Sequence, residues 1–270
     1  MMDLDHYTDP KTGETFALGN VEAPVSYSWP IYGDTPTTPL IPRDQWDQYA
    51  VQGPAPWVFL PPIHYQNGVG MCNASATACG IEAARAVAGL PHVPLSGGDL
   101  YGRINGGRDQ GSILEDGLRE ASDKGIAPVS ITPYLEWRRR GPGAAAEALK
   151  YRVLEAFLCP TFAHVASALI HRFPVVVGIR WFGGYKLDSD GWLAAPLGRW
   201  GGHALCSYAL AKRGREFGAA TQNSWGADWG GHGGRLVIPE TGFEGPVGGW
   251  WAIRAVVTEG GDIPAPRATS

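Results

Sequence analysis

The chain changes texture once, near residue 173, and that change restricts its fold more than any other feature. Before it, apolar residues recur at helical spacing. Ala74, Ala76, Ala78, Ile81, Ala83, Ala84 and Ala86 make the segment from Cys72 to about Leu90 small and helix-compatible, which predicts a closely packed buried helix starting at or just before Cys72. Ser112 stands three residues before Glu115 and ahead of Ile113, Leu114, Leu118 and Ala121, the spacing of a capping box at a helix start. Further helices are expected over residues 144–157 and from 161 to about 172. After the change, residues 175–179, 204–211, 219–223, 234–238 and 250–257 read as strands separated by Gly-rich turns. Helices first and strands later argue against alternating βαβ units. They predict an α+β protein with a helical part, a mainly antiparallel β part and a cleft where the two meet.

Residues 1–45 hold Pro10, Pro24, Pro30, Pro36, Pro39 and Pro42 without sustained apolar periodicity. They are expected to form a Pro-rich extension, an arm able to wrap a core. A folded domain is expected over 46–258, followed by a flexible tail over 259–270 that contains Pro264 and Pro266. The 22 Lys and Arg against 26 Asp and Glu offer no basic stripe for phosphates, so no nucleic-acid partner is expected. No secretory or transit signal is visible at the start, and the longest apolar run, over 173–179, suits a buried strand, so no membrane partner is expected either.

Cys72, Cys79, Cys159 and Cys206 are too few and too scattered for a disulfide framework and lack the paired spacing of a zinc site. Reduced thiols in the cytoplasm or another reducing compartment are expected. The seven histidines show no ligand spacing with carboxylates on one helical face, so neither a metal nor a cofactor is expected.

Three short segments carry chemistry. Gln66 lies six residues before Cys72, with Gly68 and Gly70 between them to let the backbone fold tightly. A thiol at a helix N-terminus sits near unpaired N–H groups and the positive end of the dipole, which favour thiolate. Most cysteines inside an Ala-rich helix are small buried hydrophobes, and Cys79, Cys159 and Cys206 keep that reading. His203 is flanked by Gly201, Gly202 and Ala204 at the mouth of a predicted strand, where an imidazole can project into a cleft. Asn223, in the run Asn223-Ser224-Trp225-Gly226, is able to accept from an imidazole N–H while Trp225 screens that bond from water.

Taken together and in this order, the segments from Gln66 to Cys72, Gly202 to Ala204 and Asn223 to Gly226 resemble the signature blocks of the papain family of cysteine peptidases. His203 and Asn223 follow Cys72 at roughly the 130 to 150 residues usual there. The resemblance runs from about residue 45 to 257. It implies a papain-like two-lobed fold, with a helical lobe, an antiparallel β-barrel-like lobe and the active site between them. It also implies a cysteine endopeptidase acting on a peptide or protein substrate. Cys72 would be the nucleophile, His203 the general acid and base, Asn223 its orienting partner, and Gln66 an oxyanion donor. The Gly-rich run from Asn105 to Ser112 resembles the wall that pairs with extended substrate, with Gly111 and Ser112 favoured; Gly202 and Trp225 would complete the substrate-binding set.

Two positions depart from the family pattern. Asn73 replaces the aromatic that normally follows the nucleophile, and Val69 stands where a cysteine is normally tied in a disulfide. The extension shows no obvious copy of a helical pro-domain, so no conventional zymogen is expected; instead the arm either packs over the cleft or tethers a partner. Two rival readings stay open, a catalytically silent papain-like binding or structural module, and an amidase or acyltransferase using the same thioester chemistry.

Overall fold

A computed structural model of the chain describes residues 4–25, 29–55, 59–194 and 198–258. The tail expected over 259–270 lies outside the described residues.

The Ala-rich segment forms helix α1 (Cys72–Val87), buried from Cys72 to Arg85. Such burial requires small side chains, and the contact with the sheet is close: a methyl group on Gly80 would lie 2.9 Å from Ile253 Cδ1 and 3.2 Å from Val176 Cγ2. Around α1 pack α2 (Gly97–Ile104) and α3 (Leu114–Lys124). Helix α2 escaped the periodicity reading because Gly97 and Gly98 open it, although the Ser96 hydroxyl accepts from the Asp99 amide at 3.1 Å as an N-cap should.

The other half is a seven-stranded sheet. Its main path runs β10 (Arg235–Pro239), β9 (Glu216–Gln222), β8 (Trp200–Arg213), β7 (Val175–Phe182), β11 (Trp250–Val256), β6 (Val153–Leu158), all neighbours antiparallel. The short strand β4 (Val51–Gln52) adds in parallel to β8. Alternation along β7 divides the core. Val175, Val177 and Ile179 join a cluster with helix α5 (Phe162–Ile170), whereas Val176 joins the cluster built on α1. Among the described residues no helix is long and apolar enough to cross a membrane.

Two sequence expectations fail in detail. Residues 144–157 are not one helix: α4 (Ala144–Ala148) and a 3-10 turn end by Tyr151, and β6 follows. Val153, Ala156, Phe157 and Leu158 are buried there and the strand pairs with β11, a long-range partner that periodicity cannot register. Ser112 is not a helix cap either. It belongs to a short strand β5 (Ser112–Ile113), and its hydroxyl accepts from the Asn73 side chain at 3.0 Å. Glu115 is drawn away as well, bonded to Arg119 and Trp29.

The N-terminal extension lies against this framework. Strands β1 (Asp5–Thr8) and β2 (Thr15–Leu18) form an antiparallel hairpin, and β3 (Asn20–Val21) pairs in parallel with β5. Farther on, the Tyr32 amide donates to Leu158 O at 2.9 Å and the Tyr32 side chain is fully buried.

One ionic node ties the helical half together. Asp99 accepts from Arg140 Nε at 2.6 Å, Arg103 Nη2 at 3.1 Å and the Ala127 amide at 2.9 Å. Asp99→Ala would strip an acceptor from all three. The expected loss is about 3 kcal/mol of unfolding free energy, measured as a lower urea midpoint with unchanged slope.

Candidate active site

Cys72 is the first residue of α1, and the turn before it explains the spacing from Gln66. Asn67 and Gly68 both adopt positive φ (46° and 74°), closing a tight turn in which the Val69 amide donates to Gln66 O at 3.0 Å. The turn brings Gln66 back over the helix end. Segment 62–66 is held further by His64, buried against Glu82 of α1 (3.3 Å) and the carbonyl of Ser75. Burial opposes the charged imidazole, but Glu82 outweighs it and the His64 pKa is raised.

From the sheet, β8 carries His203 and the chain leaving β9 carries Asn223 beside it. The His203 Nε2–H donates to Asn223 Oδ1 at 2.9 Å, and the same oxygen accepts from the Ser224 amide at 2.8 Å. Ser224 then joins this pair to Gln66: its hydroxyl donates to Gln66 Oε1 at 2.7 Å and its carbonyl accepts from the Gln66 amide at 2.9 Å. With Oε1 held in this way, Gln66 Nε2 is turned toward the cleft. Trp225 stacks on the His203 ring with centroids 4.5 Å apart and covers the His203–Asn223 bond. Backbone N–H groups at Ala204, Gly19 and Asn73 lie close enough to the Cys72 sulfur to favour its thiolate, which sets it beside the residue following His203. Cys72, His203, Asn223 and Gln66 therefore meet at one place.

The extension covers that place. Tyr7 and Phe16 of the hairpin stack on Trp225, with centroids at 5.3 and 4.5 Å. The carbonyl of Ala17 accepts from Gln66 Nε2 at 3.1 Å, and the carbonyl of Gly19 accepts from the Ser112 amide at 2.8 Å. Each of Cys72, His203 and Gln66 is 0% exposed.

Burial sets the charge state. The Cys72 thiol is pushed up to about 11 by desolvation, which outweighs the backbone hydrogen bonds that favour thiolate. His203 is pushed down to about 4, again chiefly by desolvation and against the Asn223 bond, and its Nδ1 has no hydrogen-bond partner. The thiolate expected at a helix N-terminus is thus absent in the covered state: thiol and imidazole are both neutral.

The expected substrate wall is engaged by the arm. Gly111 has φ 78°, and a side chain on it would overlap the Gly19 carbonyl; one on Gly202 would overlap the carbonyl of Asn20. Ser112 pairs with Asn20. Asn73 has a structural reason for departing from the family pattern. Its Nδ2 donates to Ser112 Oγ at 3.0 Å and Ile113 O at 2.6 Å, binding β5 to α1. Sequence reading missed this tie and a second one, in which Asp109 accepts from the Gly70 amide (2.9 Å) and the Tyr101 hydroxyl (2.7 Å). The bonds from Asn73 to Ser112 and from Gly70 to Asp109 each join residues 39 apart, and nothing local signals them.

Searches with protein-family models and among curated proteins find no match for the chain. Solved structures do match. The chain is similar to xylellain, a cysteine protease from Xylella fastidiosa, at 18% identity and a TM-score of 0.70, over 94% of this chain and 98% of that one. It is similar to a procathepsin B from Trypanosoma congolense at 18% identity and a TM-score of 0.65, over 86% and 84% of the two chains. The bromelain protease of Ananas comosus, solved with the E64 inhibitor, matches at 18% identity and a TM-score of 0.59, over 72% of this chain and 93% of that one. What these likenesses establish is the fold: this chain has the two-lobed α+β architecture of the papain-like cysteine proteases.

The depressed His203 pKa has a thermodynamic consequence. Between the ordinary histidine value and about 4, the unfolded chain takes up a proton that folded His203 does not, so stability rises with pH across that window. The thermal midpoint is expected to fall as pH drops from about 6.5 to 4. His203→Asn should flatten that dependence; an identical slope in the variant would assign the effect to other groups.

Proposed function

We propose that this chain is a papain-like cysteine peptidase that hydrolyses peptide bonds through an acyl-thioester on Cys72, held shut in the covered state by its own N-terminal arm. The observation that carries the reading is that a backbone carbonyl, that of Ala17, already rests on Gln66 Nε2 in the cleft where Cys72 and the His203–Asn223 pair converge. A site that seats one peptide carbonyl there suits another.

With the arm displaced, water reaches the cleft and the desolvation that keeps both groups neutral is relieved. His203 Nδ1 takes the Cys72 proton, and the sulfur attacks the substrate carbonyl carbon. The oxyanion so formed accepts from Gln66 Nε2 and from the Cys72 backbone amide. As the tetrahedral intermediate collapses, His203 gives its proton to the leaving nitrogen and the C–N bond breaks. Water, deprotonated by His203, then attacks the thioester; the C–S bond breaks, the acid leaves and the proton on His203 returns to the Cys72 sulfur. Asn223 keeps Nε2 protonated and the ring oriented throughout, and Trp225 keeps water from that bond.

An epoxysuccinyl reagent should label Cys72 in the whole chain and leave Cys72→Ala unlabelled, read by mass. Absence of any Cys72 adduct between pH 5 and 8 would favour the silent-module reading. Loosening the arm with the double variant Tyr7→Ala, Phe16→Ala removes its stacking on Trp225 and should raise the labelling rate at least about tenfold. Once the cleft is open, Gln66→Ala should lower kcat for a peptide substrate by about 10²- to 10³-fold with little change in KM.

A further inference from the structure

The side chain of Asn20, in the arm, enters the wall of the cleft next to Ser112. It is 4% exposed, and its Nδ2 donates to the carbonyl of Val247 at 2.8 Å. Among the described residues that carbonyl has no other hydrogen bond. The recess exists because glycines line it. A methyl group on Gly178 would lie 2.7 Å from Asn20 Nδ2, and one on Gly248 would lie 3.6 Å from Asn20 Oδ1 and 3.3 Å from Leu114 Cβ. Gly178 is also fastened to the opposite rim from both sides, donating to Gly249 O at 3.1 Å and accepting from the Val247 amide at 3.2 Å. These bonds fix the Val247 carbonyl at the edge of the recess.

We infer that this recess is a specificity pocket that selects a small side chain bearing a hydrogen-bond donor, asparagine above all, at the substrate residue that pairs with Ser112. The inference rests on the peptidase reading and names its substrate class. When the arm leaves, the Val247 carbonyl loses its only donor and is still walled in by Gly178 and Leu114. An incoming leucine has the same branching and heavy-atom count as asparagine but is bulkier and has no N–H, so it would bury that oxygen unpaired. An aspartate would set a carboxylate against it. Leucine and aspartate therefore fail for opposite chemical reasons, and aspartate does so at nearly the volume of asparagine. Asn20 Oδ1 is itself buried without a partner, so the pocket reads only the donor of the amide. The arm lies parallel to β5, but a side chain reaches the recess by having its Cα beside Ser112, whichever way the backbone runs.

Two measurements on the full chain test this. In the first, Cys72 alkylation by iodoacetamide reports how firmly the arm is seated and needs no peptidase activity. Asn20→Leu is expected to raise the alkylation rate about tenfold, and Asn20→Asp at least as much, corresponding to one buried carbonyl left without its donor. Asn20→Leu reacting at the parent rate would overturn the pocket. In the second, peptidyl chloromethyl ketones that differ only in Asn, Leu or Asp at each of the positions before the reactive group are competed for Cys72 and read by mass. Preferential capture of the asparagine probe at one position supports the inference, and equal or preferred capture of the leucine probe at every position overturns it. If no peptidyl probe reacts faster than iodoacetamide, the peptidase reading fails, and the alkylation series still decides whether the recess selects a donor.

Discussion

The close approach of α1 to the sheet is the contact on which the site depends. Gly80 sits against Ile253 and Val176, so the helix lies low on β7, β8 and β11. That depth brings a sulfur at the helix end to the backbone at Ala204, beside an imidazole contributed by a strand from the other half of the chain. A side chain on Gly80 would meet packed aliphatic atoms, and the dense interior would transmit the displacement to the helix terminus. The hydrogen-bonded chain from Gln66 through Ser224 to Asn223 then works as a second, polar fastening across the same boundary. Geometry at the site is thus a by-product of how two layers close on one another.

What the sequence made legible is what is local or periodic. The start of α1 at Cys72, the five late strands and the helix beginning near residue 162 all follow from patterns within a dozen residues. The separation of Cys72, His203 and Asn223 was equally readable, because their neighbours (Gly202 and Ala204 about the histidine, Ser224 and Trp225 after the asparagine) mark them. Misreadings cluster where a distant partner decides. Residues 153–158 became a strand because β11 offers a ladder, and Ser112 became part of a strand because β3 offers it a parallel partner, while Asn73 claims its hydroxyl. The arm was read as irregular because its prolines break periodicity, yet Tyr7 and Phe16 found an indole to stack on that no local pattern announces. The departure at Asn73 was visible as a departure; its purpose, joining β5 to α1, needed the third dimension.

Covering and charge state are coupled through desolvation. Both the thiol and the imidazole are held neutral by burial, so the arm does more than block approach: it also disfavours ionisation of either group. A segment that excludes water from a Cys–His pair suppresses reactivity even toward reagents small enough to slip past it.

The arm is also anchored at its far side, where Tyr32 joins Leu158, so it is a ligand tethered to its own receptor. Its occupancy is then set by an effective concentration, whatever the amount of protein present. A free peptide competes against that fixed local concentration, and its apparent affinity falls by the fraction of molecules that are closed. Lengthening or shortening the span between Val21 and Ile31 would therefore retune how firmly the cleft is covered without touching any residue in it.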